Sequence, residues 1–332
     1  MQTNVSTANT LPFLDGIVRG MKRRSFLRGM ATAPLMAAPL IEIVSAQAPP
    51  QRGQGAPAAA ATTPPYPAPP AKPRQKVKQS VMNSVWRGVN NSFEDKCKIL
   101  QRIGFKGIDL PTAQQVPMMK QYGLAPTMMT GTGTTMQNGF MRKELHDAQE
   151  TACRAGIDVC AEAGCANLIG FAGEKRGMSP QEAADNTVAI FTRLKPYAEQ
   201  KNVNICLEIT NSKVVADARV DMAFNHVAWG IDVCKRVNSP RFKIVYDMYH
   251  VQIMDGDLTR TMLENLDYIC HMHVAGVPSR GEIDDTQEVN WRFIANAIAT
   301  SGYTGHVAHE WYPSPGRDPI KSLEQCFAIL DV

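Results

Sequence analysis

With 332 residues, the chain is long enough for one large domain and a tail. Its formal net charge of +4 is uneven: residues 1–46 carry +3, residues 47–75 another +3, and residues 76–332 hold 27 Lys/Arg against 29 Asp/Glu, a net −2. The basicity belongs to the N-terminal stretch, so the part able to fold lacks the footprint of a nucleic-acid binder.

In chain order, Lys22-Arg23-Arg24-Ser25-Phe26-Leu27-Arg28 is a twin-arginine pattern. An apolar run over 29–44 and the small-residue site Val44-Ser45-Ala46 follow it. Residues 1–46 therefore read as a signal region, with Met21 as an alternative start because residues 1–20 fit no part of such a signal. The expected partner is the twin-arginine export machinery and the expected location the bacterial periplasm. The run falls short of the roughly 20 apolar residues of a membrane span, so none is expected in the mature form; an uncleaved anchor is the lesser alternative. Residues 47–75 are rich in Pro and Ala and read as a disordered linker. The cysteines, among them Cys97, Cys153, Cys206, Cys234, Cys270 and Cys326, fall inside predicted helices and strands, as small buried apolar side chains do. Cys153, Cys160 and Cys165 lack a C-x-x-C spacing and make a poor zinc site.

From residue 76 the pattern alternates strand and helix. A strand at 79–83 precedes a helix at 93–103 capped by Ser92. Strands at 107–110 and 125–129 follow, separated by a short helix. A helix over 142–163 stops at Gly164, before a strand at 167–171. Ser179-Pro180-Gln181-Glu182 is a capping box with proline at the first helical position, and starts a helix running to about residue 200. Next come a strand ending in Glu208, a helix near 220–237 and a strand ending in Asp247. A short helix after Gly256 leads to the strand carrying His271 and His273. A helix at 290–300, a strand at 307–310 and a helix opened by Asp318-Pro319 complete the chain. Eight such units in residues 76–332 match a single (β/α)8 TIM barrel. An open doubly wound sheet would want a Gly-rich phosphate turn after its first strand; residues 83–91 supply none, and Gly131-Thr132-Gly133 reads as a loop.

Buried parallel strands read as short apolar runs, and the polar residues where they stop sit at the C-terminal mouth of a barrel, where active sites are built. Four consecutive predicted strands end this way, at Glu208, Asp247, His273 and Glu310, separated by 39, 26 and 37 residues. Three carboxylates and one imidazole make a hard, oxygen-rich site for one divalent ion, Mn²⁺ or Mg²⁺ first, Co²⁺ or Zn²⁺ less selectively. His271 shares a strand face with His273 but lies deeper, as a core or supporting histidine; the reverse assignment is the alternative. His250, placed on the loop past Asp247, could reach a substrate oxygen. Arg280 offers a fork of donors to a carboxylate or a hydroxyl pair. Glu288 and Asn290 precede a helix and read first as its caps. His146, His226 and His306 read as structural, and the pairs Met118-Met119 and Met128-Met129 as core.

Residues 76–332 resemble the sugar isomerase/epimerase superfamily of xylose isomerase-like TIM barrels, and within it hydroxypyruvate isomerase-type proteins. The resemblance rests on LEITN (207–211), YDMYHVQIMDGDL (246–258), HMHVAGVPSRGE (271–282), EVNW (288–291) and GYTGHVAHEWYP (302–313). It implies that Glu208, Asp247, His273 and Glu310 bind a divalent metal, that Glu208 and Glu310 serve as acid and base, and that His250 and Arg280 contact a small carbohydrate substrate. The implied chemistry is proton abstraction next to a carbonyl, giving an enediolate, then reprotonation as an isomerase or epimerase. Ile209-Thr210 stand where the prototype has proline and leucine, and Gly281 where a histidine is common. The alternatives are an inosose-type dehydratase, an endonuclease IV-like nuclease and a non-catalytic exported sugar-binding protein. The nuclease would need further metal ligands from the early strands, which offer no histidine. Which sugar is used, which metal is loaded, and whether the chain forms a homo-oligomer stay open at this level.

Overall fold

The computed structural model describes residues 74–214 and 221–332. The twin-arginine signal, the cleavage site and nearly all of the predicted linker lie outside the described residues.

Eight strands are present: β1 (Lys78–Val81), β2 (Gly107–Asp109), β3 (Ala125–Met128), β4 (Asn167–Gly170), β5 (Asn204–Glu208), β6 (Phe242–Asp247), β7 (Ile269–Val274) and β8 (His306–His309). They form one sheet in the order β3-β2-β1-β8-β7-β6-β5-β4, and every neighbouring pair is parallel. The two end strands meet in a parallel bridge between Met129 and Leu168. Met129 N donates to Asn167 O and Ile169 N to Met129 O, both at 2.9 Å, so the sheet curls into a nearly closed barrel. This is the TIM barrel that the alternation predicted.

Helices α1 (Phe93–Ile103), α2 (Val116–Gln121), α3 (His146–Ala163), α4 (Pro180–Lys201), α5 (Val227–Val237), α6 (Met248–Met254), α7 (Leu258–Glu264), α8 (Trp291–Thr300) and α9 (Pro319–Leu330) fill the connections. Their starts follow side-chain chemistry. Ser92, Ser179, Asn290 and Asp318 accept from the backbone N–H of Asp95, Glu182, Phe293 and Ile320, which satisfies donors that a first helical turn leaves over. The helix expected from about residue 220 begins only at Val227, because the chain before it is drawn out: Ala223 N donates to Gly173 O, and Met222 bridges Glu174. Helix α6 was not predicted; its start is made by Asp247, whose side chain accepts from Tyr249 N.

The main core lies between the barrel and its helices. Met128, Ile169, Cys206 and Val245 form a separate apolar cluster. Strand alternation puts Cys206 on the face of Glu208, and Val245 on that of Asp247, so this cluster floors the mouth. All eight cysteines are free thiols, seven buried and Cys270 half-buried. His146 is held by Phe140 O at 2.8 Å, as a structural histidine. No described helix is long and apolar enough to cross a membrane.

Candidate active site

Glu208 ends β5, Asp247 ends β6, His273 stands one residue before the end of β7, and Glu310 follows β8 directly. Each thus reaches the C-terminal mouth on a separate strand. One ligand atom from each lies within 4.8 Å of the others. Asp247 and His273 are 1% and 0% exposed. His273 Nδ1 lies 2.8 Å from Glu310 Oε2 and 3.3 Å from Glu208 Oε1. Glu208 Oε2, Asp247 Oδ2, His273 Nδ1 and Glu310 Oε2 are all buried, yet none makes a hydrogen bond of acceptable geometry among the described residues. One ligand-type atom from each of three carboxylates and one imidazole converges here, with His273 Nδ1 set between the Glu208 and Glu310 carboxylates, a set that fits a hard divalent cation.

Asp109, at the end of β2, is a residue that the sequence reading passed over. It is fully buried, and its Oδ2 accepts from His271 Nε2 at 2.7 Å and His273 Nε2 at 3.2 Å. Its Oδ1 accepts from Ser80 Oγ at 3.1 Å and from Thr127 Oγ1. Burial alone would raise its pKa, but the charges and hydrogen bonds of the two histidines hold it well below the usual carboxylate range. With Nε2–H given to Asp109, His273 turns Nδ1 to the carboxylates, the orientation that a ligand histidine needs. His271, the deeper of the two on this strand, bonds the same carboxylate. Asp109, His271 and His273 also bring ligand-type atoms within 4.8 Å of one another. There, however, both imidazole Nε2 atoms already bond the carboxylate.

The acids differ in environment. Burial pushes Glu208 up to about 8, against the pull of His273. Burial would raise Glu310 too, but the Arg280 guanidinium, helped by His273, holds it down to about 2. Burial works against the charged form of His273, and the Glu208 and Glu310 charges overcome this and raise it well above an ordinary imidazole.

Arg280 is not a solvated loop residue: its Nη2 lies 2.8 Å from Glu310 Oε1 and 3.6 Å from Asp247 Oδ2. A turn closed by Gly276 N donating to Gly281 O at 2.8 Å presents it. A Cβ on Gly276 would stand 2.4 Å from Glu282 O, so the turn requires glycine. His250 sits in α6, not on a loop as expected, with Nε2 3.5 Å from Asp247 Oδ2 and 3.3 Å from Arg280 Nη1. Glu288 stays outside the cluster: it is exposed, and Gln252 Nε2 donates to it at 3.3 Å. Asn290, not Glu288, caps α8. His226 is exposed against Asp255, away from the mouth.

The chain is similar to several known proteins. A 2-oxo-tetronate isomerase of Cupriavidus necator is 34% identical over 87 residues, 26% of this chain and 33% of that protein. The hydroxypyruvate isomerase of Escherichia coli is 44% identical over 71 residues, 21% of this chain and 27% of that protein. These alignments thus span about a third or less of the relatives' own length. A 2-oxo-tetronate isomerase of Haemophilus influenzae is 23% identical over 236 residues, 67% of this chain and 88% of that protein. Among solved structures, a 3-keto-D-glucoside 4-epimerase from E. coli superposes with a TM-score of 0.65 at 18% identity, over 76% of this chain and 98% of that one, a likeness of fold. The profile of the xylose isomerase-like TIM barrel family matches residues 97–327, and the chain belongs to that family.

Proposed function

We propose that the chain is a divalent-metal-dependent isomerase or epimerase of a small keto-sugar or hydroxy-carbonyl compound. The observation that carries this reading is the convergence of Glu208, Asp247, His273 and Glu310 at successive strand ends, with one ligand-type atom of each within 4.8 Å of the others. The relatives named hydroxypyruvate isomerase and 2-oxo-tetronate isomerase support it.

Glu208, Asp247, His273 and Glu310 would hold the ion, Mn²⁺ or Mg²⁺ by the hardness of the set. When bound, the ion polarises a substrate carbonyl and orients the hydroxyl beside it. The protein handles the proton. Glu208 and Glu310 belong to β5 and β8, so they flank the site from different strands. One carboxylate takes the proton from the carbon next to the carbonyl, and the other delivers one. Delivery to the same carbon from the opposite face epimerises it; delivery to the neighbouring carbon isomerises. Arg280 and His250, grouped around Asp247 and Glu310, hold substrate oxygens.

The test is incubation with a panel of keto-sugars in D₂O, with and without a chelator. Deuterium should enter the carbon next to the carbonyl only in metal-loaded protein. Glu208→Gln and Glu310→Gln should each lose about 10²–10⁴-fold in turnover while folding normally, the range of general acid–base catalysis. Unchanged turnover after chelation, or in both variants, would refute the reading.

We also infer export by the twin-arginine route, from Arg23-Arg24 and the apolar run behind them. Replacing both arginines by lysine should leave the chain in the cytoplasmic fraction; unchanged export would remove the inference.

A further inference from the structure

His250 is almost completely buried, and both its ring nitrogens face named groups. Asn211, three residues beyond Glu208, is fully buried beside it. The backbone N–H of Asn211 donates to His250 Nδ1 at 3.0 Å. The side-chain Nδ2 of Asn211 lies 2.8 Å from the same nitrogen. The orientation of this amide is fixed from its other end: Asn211 Oδ1 accepts from Lys213 N at 3.1 Å and Val214 N at 2.7 Å. A flipped amide would turn its NH₂ onto two backbone donors, so Nδ2, and not Oδ1, must face the ring. A flipped ring would instead set a C–H against two N–H donors. Nδ1 therefore has only donors before it in these contacts, and a nitrogen that accepts carries no proton.

We propose that Asn211 is a positioning residue that fixes His250 as the Nε2–H tautomer, so that the ring offers a hydrogen-bond donor, not a base, to the substrate. Nε2 points into the mouth, 3.5 Å from Asp247 Oδ2 and 3.3 Å from Arg280 Nη1. Since guanidinium nitrogens are donors only, that last contact joins two donors, and both serve whatever acceptor lies before them. The pair thus presents donors, not a base, at the mouth, where Asp247 Oδ2 is the acceptor before both. Proton abstraction is left to the carboxylates. The inference rests on the functional reading above for the word substrate, but not for the tautomer.

Long-range ¹H–¹⁵N correlation spectra of the whole chain, loaded with diamagnetic Mg²⁺, read the tautomer directly. Loss of one ring system in His250→Gln identifies the signal. The parent should show His250 protonated on Nε2 alone. Asn211→Asp sets an acceptor beside Nδ1 and should draw a proton there, with kcat/KM falling about 10- to 100-fold, the loss of one hydrogen bond to a charged or polarised oxygen. Asn211→Ser keeps the backbone donor and supplies a hydroxyl, so it should keep the parent tautomer and most of the activity. A residue that merely fills space would be damaged alike by both changes and move no ring proton. A parent ring protonated on Nδ1 overturns the inference without need of any variant. Unaltered tautomer and kcat/KM in Asn211→Asp do the same. A parent showing the Nε2–H ring but no deuterium exchange with any keto-sugar would refute the isomerase reading and leave the tautomer assignment standing.

Discussion

Asp109 accepts four hydrogen bonds in full burial, and two of them come from the histidines beneath and within the ligand cluster. A carboxylate behind a ligand imidazole fixes its tautomer and raises its basicity, and such partners are typically worth 10- to 100-fold in metal affinity. Asp109→Asn keeps the shape and removes the charge. Calorimetric titration with Mn²⁺ should show affinity weakened about 10- to 100-fold while the circular dichroism spectrum stays that of the parent. Equal affinity would mean that the ring is held by packing alone. The four residues that converge at the mouth were legible because each closes an apolar run, a local signal. Asp109 closes a run of the same kind, Gly107-Ile108-Asp109, but its meaning depends on partners 162 and 164 residues away, and no spacing rule reaches so far. Asn211 escaped notice for a related reason: its role is set by the direction of one amide. Glu288 illustrates the converse, a polar residue in a family-like stretch whose side chain turns outward to Gln252.

At the level of elements, the capped helices were readable because caps are local: Ser92, Ser179 and Asp318 each bond a backbone N–H two or three residues on. Helix α6 was not readable. Its seven residues lack a full amphipathic repeat, and its cap, Asp247, was already read as a ligand. The two oxygens of Asp247 face different neighbours: Oδ1 holds Tyr249 N at 2.8 Å, and Oδ2 lies 3.5 Å from His250 Nε2 and 3.6 Å from Arg280 Nη2. Start of helix and site are thus built together, and His250 arrives one turn later. The turn 276–281 does the same for Arg280. Gly276→Ala would press a methyl group onto the Glu282 carbonyl, and overpacking of this kind costs about 1–3 kcal/mol. Urea unfolding should record that loss, and kcat/KM should fall with Arg280 displaced. Metal affinity should hold, because the turn carries none of the four ligands. Loss of metal binding together with activity would show that the turn shapes the ligand set itself.

For the whole molecule, alternating apolar runs and amphipathic stretches announced parallel strands under helices, since strands covered on both faces lose their polar alternation. Closure had no such local signature; it depends on the pairing of Met129 with Leu168 and of β1 with β8. The second of these seams carries a pH dependence of its own. Trp311 Nε1 donates to His309 Nδ1 at 3.0 Å, His309 Nε2 stands 2.9 Å from Gln79 Oε1, and Gln79 Nε2 donates to Phe327 O at 3.1 Å. This relay needs a neutral imidazole with its proton on Nε2. His309 is fully buried, and burial alone lowers its pKa to about 3. An unfolded histidine titrates near about 6.5. Above that value neither state binds the proton, and His309 adds no pH dependence. As pH falls below it, the unfolded chain takes up a proton that the folded chain refuses, so stability drops by about 1.4 kcal/mol per pH unit until the folded pKa is reached. Urea unfolding of the parent and of His309→Gln at pH 7, 6 and 5 isolates this contribution from that of the site. The variant should be the weaker at pH 7, having lost the relay's geometry, but its stability should fall less steeply with acid. The difference between the two should therefore shrink by roughly 1–2 kcal/mol between pH 6 and 5. Parallel curves would mean that His309 takes up a proton in place, and that the β1–β8 seam tolerates the charge.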